Sequence, residues 1–233
     1  MIDWHSHVLP GVDDGSRNAE ESTALLQMLS EQGVDTVMAT PHFLANDESA
    51  DAFLERRAEA FETLSAVLPT DAPRVMLGAE VKYYQGISRM EDLLKLRIEG
   101  TKILLLEMSI AKWTEYTVRE LIELSASRDV TVMMAHIERY YRLQSQATWE
   151  RLYENGLLMQ INASFLCDRL TRRRALGMLE SGFVRFIGSD CHNMTSRAPK
   201  IGNATEIAKK KLGDGWVDQF QAYGKSLLAK KSI

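Results

Sequence analysis

Met1-Ile-Asp-Trp-His-Ser-His7 is a short apolar run ending in two imidazoles, and the same construction recurs along the chain. Thr36-Val-Met-Ala-Thr-Pro leads to His42, Val130-Thr-Val-Met-Met-Ala to His136, and Val184-Arg-Phe-Ile-Gly-Ser-Asp-Cys to His192. Carboxylates stand in comparable places: Glu80 closes Arg74-Val-Met-Leu-Gly-Ala, and Glu107 closes Ile103-Leu-Leu-Leu. All five histidines are thereby used, and none is left for an ordinary surface or core role. Residues two apart on an extended strand point the same way, so His5 and His7 can reach one ion. Imidazoles and carboxylates gathered at strand ends are the donors that a divalent metal site needs.

Working outward, seven strand-like segments alternate with helix-like ones. The strands are expected near Ile2 to Trp4, Thr36 to Thr40, Arg74 to Glu80, Ile103 to Glu107, Val130 to His136, Leu157 to Asn162 and Val184 to Ser189. They are apolar on both faces, as strands covered by helices on one side and a core on the other must be. Helices are expected over Asn18 to Gln32, Ala52 to Leu68, Thr114 to Ser127, Ala147 to Asn155 and Thr171 to Glu180. Asn18 is placed as an N-cap with Glu21 three residues on, and Gly33 as a stop. The stretch from Ala198 to Lys231 reads as helix broken at Gly213-Asp-Gly215.

Alternation of this kind gives a parallel sheet. In an open sheet only the strands around the topological switch point share a crevice, whereas a barrel turns every strand's C-terminal end toward one mouth. Site residues on seven strands therefore predict an α/β chain folded as a distorted seven-stranded (β/α)7 TIM-like barrel, with residues 1–233 as a single domain.

Composition is ordinary for a soluble globular domain, at 45% hydrophobic and 26% charged residues. No apolar stretch is long enough to span a bilayer, and the N-terminus has no signal-peptide pattern, so no membrane insertion is expected. Two cysteines, Cys167 and Cys191, form no disulfide framework, and a cytoplasmic location follows as the expectation. The net charge of −4 and the lack of a basic stripe argue against nucleic-acid binding. Lys209-Lys-Lys211 reads as a solvated helix face.

The blocks Met1-Ile-Asp-Trp-His-Ser-His-Val-Leu-Pro-Gly-Val-Asp-Asp-Gly15, Glu20-Glu-Ser22, Ala39-Thr-Pro-His42, Gly78-Ala-Glu80 and Leu106-Glu107 carry a family resemblance. So do Ala135-His-Ile-Glu-Arg-Tyr140, Gln160-Ile-Asn-Ala-Ser164, Ile187-Gly-Ser-Asp-Cys-His-Asn193 and Thr195-Ser-Arg197. Together they resemble the polymerase-and-histidinol-phosphatase (PHP) superfamily. More narrowly, they are similar to the bacterial tyrosine-protein phosphatases that act beside capsule and exopolysaccharide tyrosine kinases. The resemblance implies the PHP fold and a cluster of three metal ions on His5, His7, Asp14, His42, Glu80, Glu107, His136, Asp190 and His192. It selects Asp14 over Asp13, a choice the residues themselves leave open. It also implies Mn²⁺ as the metal, Arg139 and Arg197 as phosphate contacts, and the phosphotyrosine-bearing tail of a bacterial tyrosine kinase as partner. No organic cofactor is implied.

The chemistry of the set is consistent with this. Nine ligands shared among three ions leave positions open for water and substrate, and the ions outweigh the four carboxylates by two positive charges. Such a site suits a phosphate dianion, with two arginines to fork onto its oxygens and metal-activated water as nucleophile. Mixed imidazole and carboxylate donors also accept Fe²⁺, Zn²⁺ or Mg²⁺. A small-molecule phosphomonoesterase of the histidinol-phosphatase kind, a phosphodiesterase, and a non-catalytic phosphotyrosine-binding module are the competing readings.

Cys191-His-Asn-Met-Thr-Ser-Arg197 also spells C-x5-R, the signature of cysteine-dependent tyrosine phosphatases. Against it, the loop lacks a glycine to wrap phosphate, and Asp190 and His192 flank the thiol with the opposite strand parity. Tyr83, Tyr84, Trp113, Tyr116, Tyr140 and Tyr141 follow site-bearing strands and are candidates to flank an aromatic substrate, or to pack. Asn162 is a candidate to orient a ligand.

Overall fold

The computed structural model describes residues 1–229. It is an α/β fold built on a curled sheet whose strand pairings are all parallel. Its strands are β1 (Ile2–Ser6), β2 (Thr36–Ala39), β3 (His42–Phe43), β4 (Arg74–Leu77), β5 (Glu80–Lys82), β6 (Ile103–Glu107), β7 (Thr131–Met134), β8 (Leu158–Asn162) and β9 (Phe186–Gly188). The helices are α1 (Ala19–Glu31), α2 (Ala50–Ser65), α3 (Glu115–Ala126), α4 (Gln146–Glu154), α5 (Ala163–Cys167), α6 (Arg172–Glu180), α7 (Ile201–Leu212) and α8 (Asp214–Ala229).

The strand expected from Arg74 to Glu80 is interrupted, and the one expected from Thr36 to Thr40 is followed by a separate short strand at His42. Thr40-Pro41 separates β2 from β3, where proline has no N–H to donate, and Gly78-Ala79 separates β4 from β5. The strands accordingly run in two parts, β1-β2-β4 and β3-β5-β6-β7-β8-β9. Backbone bonds from Gly78 N to Ala39 O (2.8 Å) and Glu80 N to Pro41 O (3.0 Å) carry the pairing of these two chain segments across the interruption. At the other edge, Asp190 N donates to His5 O (2.8 Å), His7 N donates to Cys191 O (3.0 Å), and Ser6 bridges Cys191. The last strand thus returns to the first.

The helices start close to where their caps predict. The Asn18 side chain accepts from Glu21 N, and Thr114 caps α3 through Thr117 N. α2 begins two residues early because Ser49 caps it through Ala52 N. The C-terminal stretch forms α7 and α8 with the break at Gly213; Lys230 and Lys231 lie outside the described residues. Lys209, Lys210 and Lys211 are exposed in the last turn of α7, where cations suit the helix dipole.

Strand alternation sorts the core into two sets. Val37, Ala39, Leu104, Leu106, Val132, Met134 and Ile161 meet the helices. Trp4, Met38, Met76, Leu105, Met133 and Phe186 form a separate inner cluster, with Tyr223, Leu227 and Leu228 of α8 against it. Moving from inner-cluster residues by even steps along their strands leads to His42, Glu80, Glu107 and Asp190. The site is therefore the polar continuation of the inner core at the C-terminal ends of the strands.

Candidate metal centre

β1 breaks this parity. Ile2 and Asp3 pair with Thr36 and Val37, but Ser6 pairs with Ala39, so one extra residue lies between them. Such a bulge shifts the alternation by one. Trp4 can then plug the inner core while His5 and His7 face the site above it. Two glycines make room for these rings. A Cβ on Gly188 would stand 2.5 Å from His5 Cβ, and one on Gly15 would stand 2.5 Å from His7 Cβ. His136 and Asp190 are aimed by left-handed backbone, with φ of 30° and 51°, conformations that side-chain-bearing residues adopt at a cost of about 1–3 kcal/mol.

All nine expected ligands come together. Their donor atoms form four overlapping groups: His7, Asp14, His42 and His192; His5, His7 and Asp190; His5, Glu80 and His136; His42, Glu80 and Glu107. His5 Nε2 lies 3.1 Å from His7 Nε2 and 3.2 Å from Glu80 Oε2. His136 Nε2 is 2.7 Å from Glu80 Oε1, and His42 Nδ1 is 2.9 Å from Glu80 Oε2. Asp14 Oδ1 stands 3.3 Å from His192 Nε2 and 3.4 Å from His42 Nε2. Donors around a common ion held at about 2.0–2.2 Å are themselves separated by about 3.0–3.5 Å, so the spacing fits. His192 Nε2 faces the cluster, and it is buried without a hydrogen bond, which in a protein interior calls for a partner such as an ion. The residues present fit a metal cluster.

The rings are held from behind. His7 Nδ1 is 2.6 Å from Asp13 Oδ2, which also accepts from His42 N (2.9 Å). His192 Nδ1 faces Asp190 O at 3.0 Å, and His5 Nδ1 faces Gln160 Oε1 at 3.5 Å. Each contact places the Nδ1 proton away from the site and leaves Nε2 for an ion. Gln160 also accepts from His136 N (2.6 Å) and donates to Asn162 Oδ1, and Asn162 donates to Asp190 Oδ2 (2.7 Å). Asn162 thus orients a carboxylate at the site.

Protonation follows from the crowding of charge. Burial alone would lower the pKa of His5, but Glu80 and Asp190 raise it above the usual value. His7 is driven well above it, against burial, by Asp13, Asp190 and Glu80. His192 falls to about 4 through burial and the charges of His7 and Arg197. Glu80 and Asp190 are buried, yet the facing histidines hold both below the ordinary carboxylate range, with Arg197 adding to the effect on Asp190. His5 and His7 thereby hold protons that divalent ions would displace.

Above this cluster runs a row of alternating charges. Lys82 Nζ is 2.8 Å from Glu107 Oε2, and Glu107 Oε1 is 3.3 Å from Arg139 Nη1. Arg139 Nη2 and Arg197 Nη2 each lie 2.8 Å from Asp190, on Oδ2 and Oδ1. Both arginines expected to contact phosphate therefore converge at the mouth, where their side chains are about one-third exposed.

Other candidates resolve differently. Cys191 is fully buried, and burial with the charges of Asp3 and Asp190 pushes its thiol far above the ordinary value. A thiol in that state is no nucleophile, so C-x5-R here is a coincidence of spacing. Tyr140 is fully buried with its hydroxyl donating to Ala135 O, and it packs in a cluster with Trp113 and Trp149 that Tyr141 extends. Tyr140 and Trp149 are core, while Trp113 and Tyr141 are partly buried against it. Tyr83 is pinned to Glu120 at 2.7 Å, while Tyr116 stays exposed. Reading the sequence alone misses Lys82 and the role of Gln160. Lys82 lies two residues from Glu80 on one strand, a signal within reach; the role of Gln160 depends on contacts across three strands.

Comparison with known proteins agrees with this geometry. The family described as Capsular polysaccharide synthesis, CpsB/CapC, matches residues 1–227. Tyrosine-protein phosphatase CpsB of Streptococcus pneumoniae is 32% identical over 235 residues, covering 91% of each chain. Tyrosine-protein phosphatase YwqE of Bacillus subtilis is 27% identical, covering 91% of this chain and 85% of that one. A crystal structure from the pair YwqE of B. subtilis and CpsB of S. pneumoniae, described as unique metal-dependent tyrosine phosphatases, has the same fold. It superposes with a TM-score of 0.85 at 24% identity, over 100% of this chain and 96% of the other.

Proposed function

The chain belongs to the capsular polysaccharide synthesis family CpsB/CapC, and from that premise we propose that it is a metal-dependent protein-tyrosine phosphatase. The observation that carries this is the meeting of nine imidazole and carboxylate side chains directly beneath Arg139 and Arg197. His5, His7, Asp14, His42, Glu80, Glu107, His136, Asp190 and His192 would hold up to three divalent ions; the mixed donor set does not name the metal, and Mn²⁺ is the one that the family resemblance implies. Bound there, the ions polarise phosphoryl oxygens and lower the pKa of water from 15.7 toward about 7. Counting β2 with β3 and β4 with β5 as two composite strands supports reading the fold as a distorted seven-stranded barrel in one domain.

The chain's own residues do the rest. Asp13, Gln160 and Asn162 fix His7, His5 and Asp190, so the site is set before substrate arrives. Arg139 and Arg197, flanking Asp190, fork onto the non-bridging oxygens and meet the charge that grows on them in the transition state. A tyrosine leaving group has a pKa of about 10 and departs with modest assistance. The deep position of the ligands favours a flexible phosphotyrosine-bearing tail, such as that of a bacterial tyrosine kinase, over a folded phosphosite. Among the described residues no helix is long and apolar enough to cross a membrane, and both cysteines are free, which fits a protein acting in the cytoplasm.

The deciding experiment compares kcat/KM for a phosphotyrosine peptide and histidinol phosphate, with Mn²⁺ supplied and then chelated. Preference for the peptide, lost on chelation, is expected. Equal turnover of both substrates would leave a metallophosphatase and remove the tyrosine assignment; stoichiometric binding without phosphate release would make the protein a binding module.

A further inference from the structure

Lys82 has no part in the metal set or the arginine pair, yet it stands at the same mouth. It closes β5 two residues beyond Glu80, so its side chain leaves the same face of the strand one step nearer solvent. In the β5–β6 register it sits opposite Glu107, and Nζ reaches Glu107 Oε2 at 2.8 Å. The other oxygen of Glu107 faces Arg139 Nη1 at 3.3 Å and His136 Nε2 at 3.7 Å. One carboxylate is therefore clasped by two cations, and Lys82 is 37% exposed in its side chain, like Arg139 at 35% and Arg197 at 37%.

The row Lys82, Glu107, Arg139, Asp190, Arg197 has cations at both ends and in the middle, and both of its carboxylates also belong to the candidate ion groups. An ion that takes up the charge of Glu107 and Asp190 leaves three cations facing the mouth without full compensation. Glu107 is largely buried but already faces Arg139 Nη1 and His136 Nε2, so balancing its charge gives little reason for a further, partly exposed ammonium at this place. Lysine is a mobile point charge with three donors, suited to a phosphate oxygen arriving from outside.

We infer that Lys82 is a third phosphate-contacting residue. Its ammonium donates to a non-bridging oxygen of the phosphomonoester from the Glu107 side, opposite Arg197, with Arg139 between them. This rests on the phosphatase reading above. No bond to Lys82 forms or breaks; it binds the dianion and releases it as inorganic phosphate.

The test uses the full chain loaded with Mn²⁺, as the parent, Lys82→Met and Lys82→Arg. Binding of inorganic phosphate is measured by calorimetry, beside metal content, thermal unfolding, and KM and kcat for a phosphotyrosine peptide. Lys82→Met is expected to weaken phosphate binding about tenfold and raise KM by a similar factor, with metal content and unfolding temperature unchanged. Lys82→Arg should recover most of the loss. Phosphate affinity within twofold of the parent in Lys82→Met would overturn the inference. So would loss of bound Mn²⁺ in that variant, which would make Lys82 a positioning residue for Glu107. If the parent itself neither binds nor releases phosphate, it is the phosphatase reading that fails, and this inference with it.

Discussion

Asp13 Oδ2 lies 2.6 Å from His7 Nδ1, while the adjacent Asp14 turns outward to His192 and His42. Two neighbouring carboxylates in one turn thus divide the work, one steadying an imidazole from behind and the other facing the cluster of candidate ligands. Asp13→Asn keeps an oxygen for one of its two backbone donors, Gly15 N and His42 N, and loses the charge that orients His7. Metal affinity is expected to fall about 10–100-fold, the range for a ligand's hydrogen-bond partner, with the fold intact. Metal content after dialysis checks this, and parent-like content in Asp13→Asn would refute the role.

The second expectation concerns pH. His5 and His7 hold protons above the ordinary histidine value because Glu80, Asp190 and, for His7, Asp13 outweigh burial. An incoming ion must displace those protons, so affinity is gained as pH rises through the raised values and lost as pH falls below them. Mn²⁺ should bind at least about tenfold more weakly at pH 6 than at pH 8, with proton release on binding. Calorimetry in buffers of different ionisation enthalpy reads the protons directly; binding without release would count against the scheme.

Cys191→Ala separates the two mechanisms that the last loop spells. The thiol is buried and held in its protonated form, so activity with Mn²⁺ should stay within about twofold of the parent, while a chelator abolishes activity in both. Removing one buried heavy atom costs on the order of 1 kcal/mol, which a denaturant titration will register. Activity lost in Cys191→Ala but retained under chelation would reverse the assignment.

Gly188→Ala tests the space made for His5. The added Cβ would meet His5 Cβ at 2.5 Å and Gln160 Nε2 at 2.8 Å, so ring and amide must both shift. A stability loss of about 1–3 kcal/mol is expected, together with weaker metal binding. Unfolding curves with and without Mn²⁺ distinguish the two effects, and unchanged metal affinity would show that the ring tolerates the displacement.

Glu120 anchors the loop that follows Lys82. It accepts from Tyr83 OH (2.7 Å), Gly86 N (2.9 Å) and Ser88 Oγ (2.9 Å). Burial would raise its pKa, but these donors lower it below the ordinary glutamate value. A lowered folded value means that ionised Glu120 stabilises the protein above pH about 4.5 and that this is lost as pH falls. Glu120→Gln should cost about 1–3 kcal/mol at pH 7, with the gap to the parent closing below pH about 4.5. A gap independent of pH would show that its charge is immaterial.

Much of this protein follows from periodicity within single elements. Apolar runs ending in His42, His136 or Glu107 place those residues at strand ends, and Asn18 and Thr114 start helices because their side chains satisfy backbone donors within the next turn. Parallel strands joined by helices must present those ends on one side, so the meeting of five histidines with Glu80, Glu107 and Asp190 was legible in the sequence, whereas Asp14 over Asp13 was implied only by the family resemblance. Tertiary structure decided what depends on register between elements. It separated Asp13 from Asp14, placed the bulge that lets Trp4 and His5 share an interior, gave Lys82 to Glu107, and took Tyr140 and Cys191 into the core. The reason is physical: local sequence sets which side chains share a face of one element, while the pairing of separate elements is set by packing across the whole chain.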